Sequence, residues 1–247
     1  MTPMKASADT TLPSQGPTVS ETPGPFQGFS FSPLTENDRS RIERGMSQQF
    51  SGSFSTLLDS GPLPWRNLTE LAALSLFELD LRVEEIEVTP EVVKVVVEGV
   101  AVSHIPAFRL RHGHAFSVLD VTSDARAQSP ARAALTAALK RAYATRGIRY
   151  AVLRKADVIA QPRQRNARLV LRSRRYDMEA GTALAIATTL SARGPHTVAS
   201  VTAANAGTPN VREAVYALAA RRHVAIDLWA PNPEDMTVSL VPQGARR

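Results

Sequence analysis

Four short segments constrain this chain more than anything else in it: "EVVKVVVEG" (91–99), "VAVSHIPAFRL" (100–110), "AFSVLDVTS" (115–123) and "IRYAVLR" (148–154). The first three are dense in β-branched and aliphatic residues, with turns at Gly99 and Gly113 between them. They predict an antiparallel meander. "SPARAALTAALKRAYATRG" (129–147) reads as a helix with Ser129 as N-cap, Pro130 in the first turn and Gly147 as its stop. A strand reached through a helical crossover can lie parallel to the strand before it, so 148–154 joins the same sheet. Ahead of the meander, Leu68, Leu71, Leu74 and Phe77 recur at helical spacing in "RNLTELAALSLFELD" (66–80), with Asn67 as N-cap. The fold class is α/β: a mixed sheet flanked by helices.

Residues 1–33 are rich in Thr, Ser, Pro, Gly and Gln, without apolar periodicity, and read as a disordered tail. Thr35-x-x-Asp38 marks the start of a short helix, and "SGSFSTLLDSGPLPW" (51–65) is loop-rich. The α/β domain occupies 34–176. Beyond it, 177–194, 197–207 and 210–223 read as helices, and 224–230 and 237–241 as a β-hairpin. Three helices followed by a hairpin is the pattern of a small winged-helix-like domain, here 177–247. The alternative is a helical bundle with a β-tail used for protein contacts.

Cysteine is absent, which excludes disulfides and thiolate zinc sites and fits an intracellular, cytoplasmic setting. No apolar run approaches the roughly 20 residues that span a bilayer, and the start of the chain lacks the pattern of a secretory signal. The net charge of +6 is unevenly spread. Residues 124–176 carry 14 basic and 2 acidic side chains, whereas the remainder is neutral or acidic. Such a block is the footprint of a phosphate-backbone binder, and Arg, which dominates it, suits phosphate forks. "QPRQRNARLVLRSRRY" (161–176) follows the fourth strand. Its Arg163, Arg165, Arg168, Arg172, Arg174 and Arg175 are the candidate DNA contacts, unless the strip is a solvated linker.

One constellation suggests chemistry. Hydrolysis of a phosphodiester with Mg²⁺ needs carboxylates to hold the metal and a cation, usually Lys, near the attacking water. On a meander the economical layout is Asp at the end of one strand, then an acid and Lys two residues apart on the next, where both side chains share a face. Here Glu70 sits on the preceding helix, Pro106-Ala107 on the second strand and Asp120-Val121-Thr122 on the third. The motifs "SHIPAFRL", "SVLDVT", "ELAALSLFELDLRVEEIEV" and "GIRYAVLRKADVI", in this order, resemble the TnsA-type endonuclease subunits of heteromeric transposases, which have the PD-(D/E)xK restriction-endonuclease-like fold. "RRHVAIDLWAPNPEDMTVSLV" is similar to the wing of that family's C-terminal domain. The resemblance covers roughly 40 to 241.

The resemblance implies cutting of DNA at an element's end, with Mg²⁺, beside a separate transposase subunit and an ATPase regulator, in a nucleoid-associated setting. Glu70 matches the helix carboxylate and Asp120 the acidic position of the third strand, so these are the catalytic and metal-ligand candidates. The central Asp falls on Ala107 and the Lys on Thr122. Ala107 has no oxygen for a metal and Thr122 no charge, so the nuclease centre is expected to be inactive, leaving DNA binding and assembly. Lys94 could stand in for the missing lysine, and His104, His112, His114 or Asp124 for a missing ligand. An active Mg²⁺-dependent nuclease with a rearranged site, and a winged-helix DNA-binding regulator, are the alternative functions.

Overall fold

The computed structural model describes residues 28–44, 51–58, 61–193 and 196–241. From the amino end, strand β1 (Phe29–Ser32) and helix α1 (Glu36–Arg44) lead into a ribbon of β2 (Gly52–Phe54) and β3 (Leu63–Trp65). Helix α2 (Leu68–Leu79) precedes β4 (Glu85–Val88), β5 (Val92–Val97), β6 (Val100–His104), β7 (Phe108–His112) and β8 (Ala115–Thr122). After a single turn, α3 (Asp124–Ala127), the crossover helix α4 (Pro130–Ala144) leads to β9 (Arg149–Arg154), α5 (Lys155–Val158) and α6 (Arg163–Arg172). The remainder is α7 (Ala180–Arg193), β10 (His196–Thr197), α8 (Val198–Ala204), α9 (Val211–Ala220), β11 (Val224–Ile226) and β12 (Thr237–Leu240).

The capping chemistry read from the sequence is present. Asn67 accepts hydrogen bonds from the Thr69 and Glu70 N–H groups, and Ser129 from that of Arg132, with Pro130 in the first turn of α4. Thr35 and Asp38 bond reciprocally at the start of α1. Gly147 stops α4 with a φ of +67°, a conformation that costs glycine little.

The principal sheet has the order β4-β7-β8-β9 and is antiparallel except for β8 and β9, which run parallel. The mixed sheet flanked by helices is thus present. One expected strand is not continuous. Residues 100–110 split into β6, which pairs with β5 and through it β1 in a separate three-stranded sheet, and β7, which enters the principal sheet. Pro106, at the break, has no N–H to give a central ladder. Five further strands are new: β1, β4, β10 and the β2–β3 ribbon, which lies in the segment read as loop-rich. β4 was hidden because its alternation, Glu85-Ile86-Glu87-Val88, lasts only four residues, the least that suggests a strand. β1 corrects the tail boundary: Phe29–Ser32 pairs with β5, while 1–27 lie outside the described residues.

The two faces of the principal sheet bury different helices. Phe108, Leu110 and Leu119 pack with Ala72, Ala73, Leu74 and Leu76 of α2. On the opposite face Val118 and Tyr150 pack with Ala138, Leu139, Ala142 and Tyr143 of α4, joined by Val93 and Val95 of β5. The α2-side cluster continues through Ala167 and Val170 of α6 into Ile186, Val198, Val215 and Val238, so residues on both sides of 176 share one core. The carboxyl-terminal sheet has the order β10-β12-β11.

The strip 161–176 is correspondingly not a linker. It contains α6, which buries Gln164, Asn166, Ala167 and Val170 and turns Arg165, Arg168 and Arg172 outward. The Asn166 amide donates to the carbonyls of Leu228 and Ala230. Arg222 donates to the carbonyls of Asp80, Leu81 and Val83 just beyond the end of α2. These bonds satisfy carbonyls that the surrounding packing would otherwise strand. Replacing Asn166 with Ala is expected to lower unfolding free energy by about 1–3 kcal/mol in a urea titration, since the carbonyls it serves would lose their donor. An unchanged midpoint would show that water replaces the amide.

Candidate functional site

Asp120 is the structural centre of the region singled out in the sequence. Alternation along β8 puts Leu119 and Val121 on the α2 side and Asp120 on the α4 side, with Val118. It is only 4% exposed. Its Oδ2 accepts from Arg132 Nη2 at 2.5 Å, from His104 Nε2 at 2.6 Å and from the Tyr150 hydroxyl. Its Oδ1 accepts from the Ala107 N–H at 3.1 Å. Burial by itself would raise the Asp120 pKa. The hydrogen bond and charge of His104, the Tyr150 hydroxyl and the Arg132 charge outweigh it and hold the carboxyl well below the usual range. Tyr150 is pushed the other way, first by burial and then by the Asp120 charge, so it stays a donor.

Asp120, flanked in sequence by Leu119 and Val121, is half of a buried ion pair. Arg132 is 7% exposed and bridges Asp120 and the Tyr150 hydroxyl. Sequence reasoning passed over Arg132 and Tyr150. A signal for Arg132 was available: it precedes Leu139 by seven residues and Tyr143 by eleven, which places it on the apolar stripe of α4, and a buried Arg requires an acid. Tyr150 carried no comparable signal, because a Tyr in a strand is ordinary packing.

Glu70 is 2% exposed and stands on the other side of the sheet, on α2. Both of its oxygens are engaged by one neighbour: Oε2 accepts from the Arg66 N–H at 2.8 Å, and Oε1 from Arg66 Nε at 2.9 Å and Nη2 at 2.6 Å. It thereby closes the first turn of α2. Glu78, eight residues on, is also buried and accepts from the Thr56 hydroxyl and the Leu57 N–H, tying 51–58 to α2.

Glu70 and Asp120 therefore do not form one carboxylate site. Ala107 is 2% exposed, and its N–H groups with Leu119 and Asp120 rather than with an open cleft. Thr122 shares the Asp120 face and is buried. A magnesium ion demands several converging oxygens at short, near-octahedral distances. The Asp120 and Glu70 oxygens are occupied and the two residues lie on opposite sides of the sheet, so the residues at the motif positions do not fit that ion. Among the described residues no three His, Asp or Glu side chains are placed to hold a metal.

The substitutes fare no better, except for one. Lys94 is exposed, on the opposite side of β5 from Val93 and Val95, and those valines are the ones that pack beside Val118. Lys94 thus points away from Asp120. His112 lies near the Arg82 carbonyl, His114 is exposed in the turn, and Asp124 accepts from the Ala156 N–H. Only His104 reaches Asp120.

Of the candidate DNA contacts, Arg168, Arg172 and Arg175 are exposed. Arg165, also exposed, donates to the Pro231 carbonyl, Arg163 stacks near the Trp229 ring, and Arg174 donates to the Ser55 carbonyl and lies over Phe54. Part of the strip is therefore committed to holding neighbouring segments. The helix at the recognition position of the winged pattern, α9, is committed further. In α9, Val211 and Ala214 to Ala220 are buried, and the exposed Arg212 is paired with Glu213 and Glu234. Arg221 donates to the carbonyls of Arg174 and Tyr176. No protein-family model matches the chain, and no curated protein matches it in sequence.

Proposed function

We propose that this chain is a non-cutting, TnsA-like subunit of a DNA transposition complex, binding element-end DNA and partner proteins. The observation that carries the reading is the Asp120–Arg132 ion pair: it occupies the position the resemblance assigns to a metal-binding acid and ties up that acid's oxygens. In this reading the order α2, β5 to β8, α4, parallel β9 corresponds to the restriction-endonuclease-like core. The order α7, β10, α8, α9, β11, β12 corresponds to a winged helix docked against it. Burial of α9 favours the winged unit as a site for the transposase subunit or ATPase regulator rather than as a base reader, and weighs against the regulator alternative. The phosphate contacts fall to the outward face of α6.

Two measurements test this. Duplex binding by the whole chain should weaken with salt, and Arg168→Ala and Arg172→Ala should each weaken it across sequences and reduce the salt slope by about 1. Supercoiled plasmid with Mg²⁺ or Mn²⁺ should remain uncut. Robust cutting that is lost in Glu70→Ala would overturn the proposal in favour of a rearranged active nuclease.

A further inference from the structure

A groove of about 730 Å³ runs between the amino end of α2, α5 and α6. Leu68 and Ile159, both exposed, form its apolar walls, while Lys155, Arg168 and Arg172 supply positive charge. Arg168 and Arg172 are one turn apart on the outward face of α6. Among the described residues neither they nor Lys155 has an acidic partner. The acids beside Lys155 are taken: Asp157 pairs with Arg154, and Asp124 accepts from the Ala156 N–H. The positive end of the α2 dipole adds to this field.

Gln164 is the decisive residue. It lines the groove, is 2% exposed, and has no hydrogen-bond partner at either amide atom. A buried amide without partners is costly, and most such groups in proteins are satisfied. Both amide atoms are closed to solvent, so a ligand in the groove supplies these bonds when the Gln164 side chain turns toward it.

We infer that the groove binds a single nucleotide unit, with its phosphate at Lys155, Arg168 and Arg172 and the hydrogen-bonding edge of its base on the Gln164 amide. Guanidinium forks match phosphate oxygens geometrically. An amide presents a donor and an acceptor side by side, the pattern that complements the acceptor and amino group of an open adenine or cytosine edge. The apolar walls suit the face of a base. The volume lies in the range of small-molecule sites and exceeds what a bare phosphate fills. The inference rests on the reading of α6 as the phosphate-facing helix. The nucleotide can be free or the end of a DNA strand, since both present the same chemistry.

The test is calorimetry on the full chain with dAMP, 2-deoxyribose 5-phosphate, inorganic phosphate, a 5′-phosphorylated oligo-dA and a relaxed circular duplex without ends. dAMP should bind about tenfold or more tightly than inorganic phosphate or 2-deoxyribose 5-phosphate. Gln164→Leu should lower the preference for dAMP over 2-deoxyribose 5-phosphate by about tenfold. Arg168→Ala combined with Arg172→Ala, both at exposed positions, should weaken dAMP and phosphate alike by about tenfold or more. Tighter binding of the oligomer than of dAMP identifies a strand end; the reverse identifies a free nucleotide. If dAMP binds no better than phosphate, or Gln164→Leu leaves its selectivity intact, the inference fails. Retained binding of the circular duplex would then leave the DNA-binding reading standing, and loss of both would overturn the two together.

Discussion

Replacing Asp120 with Ala is expected to lower the stability of the fold by about 3–5 kcal/mol, read as a shift of the urea midpoint. The reason is the partner left behind. Arg132 is 7% exposed, and without Asp120 its charge is buried and uncompensated. Asp120→Asn should cost a similar amount, because it keeps the shape and removes the charge. Asp120→Leu combined with Arg132→Met should recover most of the loss, since a well-packed apolar pair often replaces a buried ion pair without penalty. Single substitutions that leave stability unchanged would remove the ion pair from its structural role. The pH dependence follows from the lowered Asp120 pKa. A carboxyl depressed in the folded state stabilises above its unfolded pKa of about 3.9, and that contribution is lost as pH falls through the folded value. Asp120→Asn should therefore flatten the stability curve below about pH 4.

The second large effect is expected from Ala107→Asp with Thr122→Lys, the pair that restores the endonuclease motif on paper. By resemblance alone this double variant should regain cleavage of supercoiled plasmid with Mg²⁺. The structure leads to the opposite expectation. Ala107 is 2% exposed and its N–H already donates to Asp120, so a carboxylate there would be buried against a second carboxylate. Lys at 122 would enter a face that already holds Arg132, and Glu70 would remain on the far side of the sheet. The variant should lose several kcal/mol of stability, seen as a lower melting temperature, and cut nothing. Mg²⁺-dependent nicking by it would show that the site can reassemble and that the present register of Asp120 is wrong.

These expectations separate residue pattern from residue partnership. The helix 68–79, its Asn67 cap, the crossover helix with Ser129, Pro130 and Gly147, and the parallel β9 were legible, because each depends on spacing and capping within one segment. Asp120 was also legible as an unusual acid in an apolar strand, and Glu70 as a candidate through its place on the preceding helix. Their roles were not. Whether a buried carboxylate holds a metal or an arginine depends on which side chains reach it from elements distant in sequence. His104, Arg132 and Tyr150 come from β6, α4 and β9. The arginine strip behaved similarly: its composition was plain, but only packing distinguished Arg165 and Arg174, bound to backbone carbonyls, from the outward Arg168 and Arg172.

The sequence by itself determined the helix before the meander, the crossover helix and parallel strand after it, the mixed character of the sheet, the placement of positive charge in 124–176, and the lack of Asp at 107 and Lys at 122. These are properties of neighbours along the chain. The tertiary structure decided that residues 100–110 divide between two sheets, that α9 is buried, that Glu70 and Asp120 lie on opposite sides of the sheet, and that Gln164 lies unpaired beside a basic groove. The physical reason is the two-faced sheet. A shift of one position along β8 exchanges the α2 side for the α4 side, and with it every partner a carboxylate can meet.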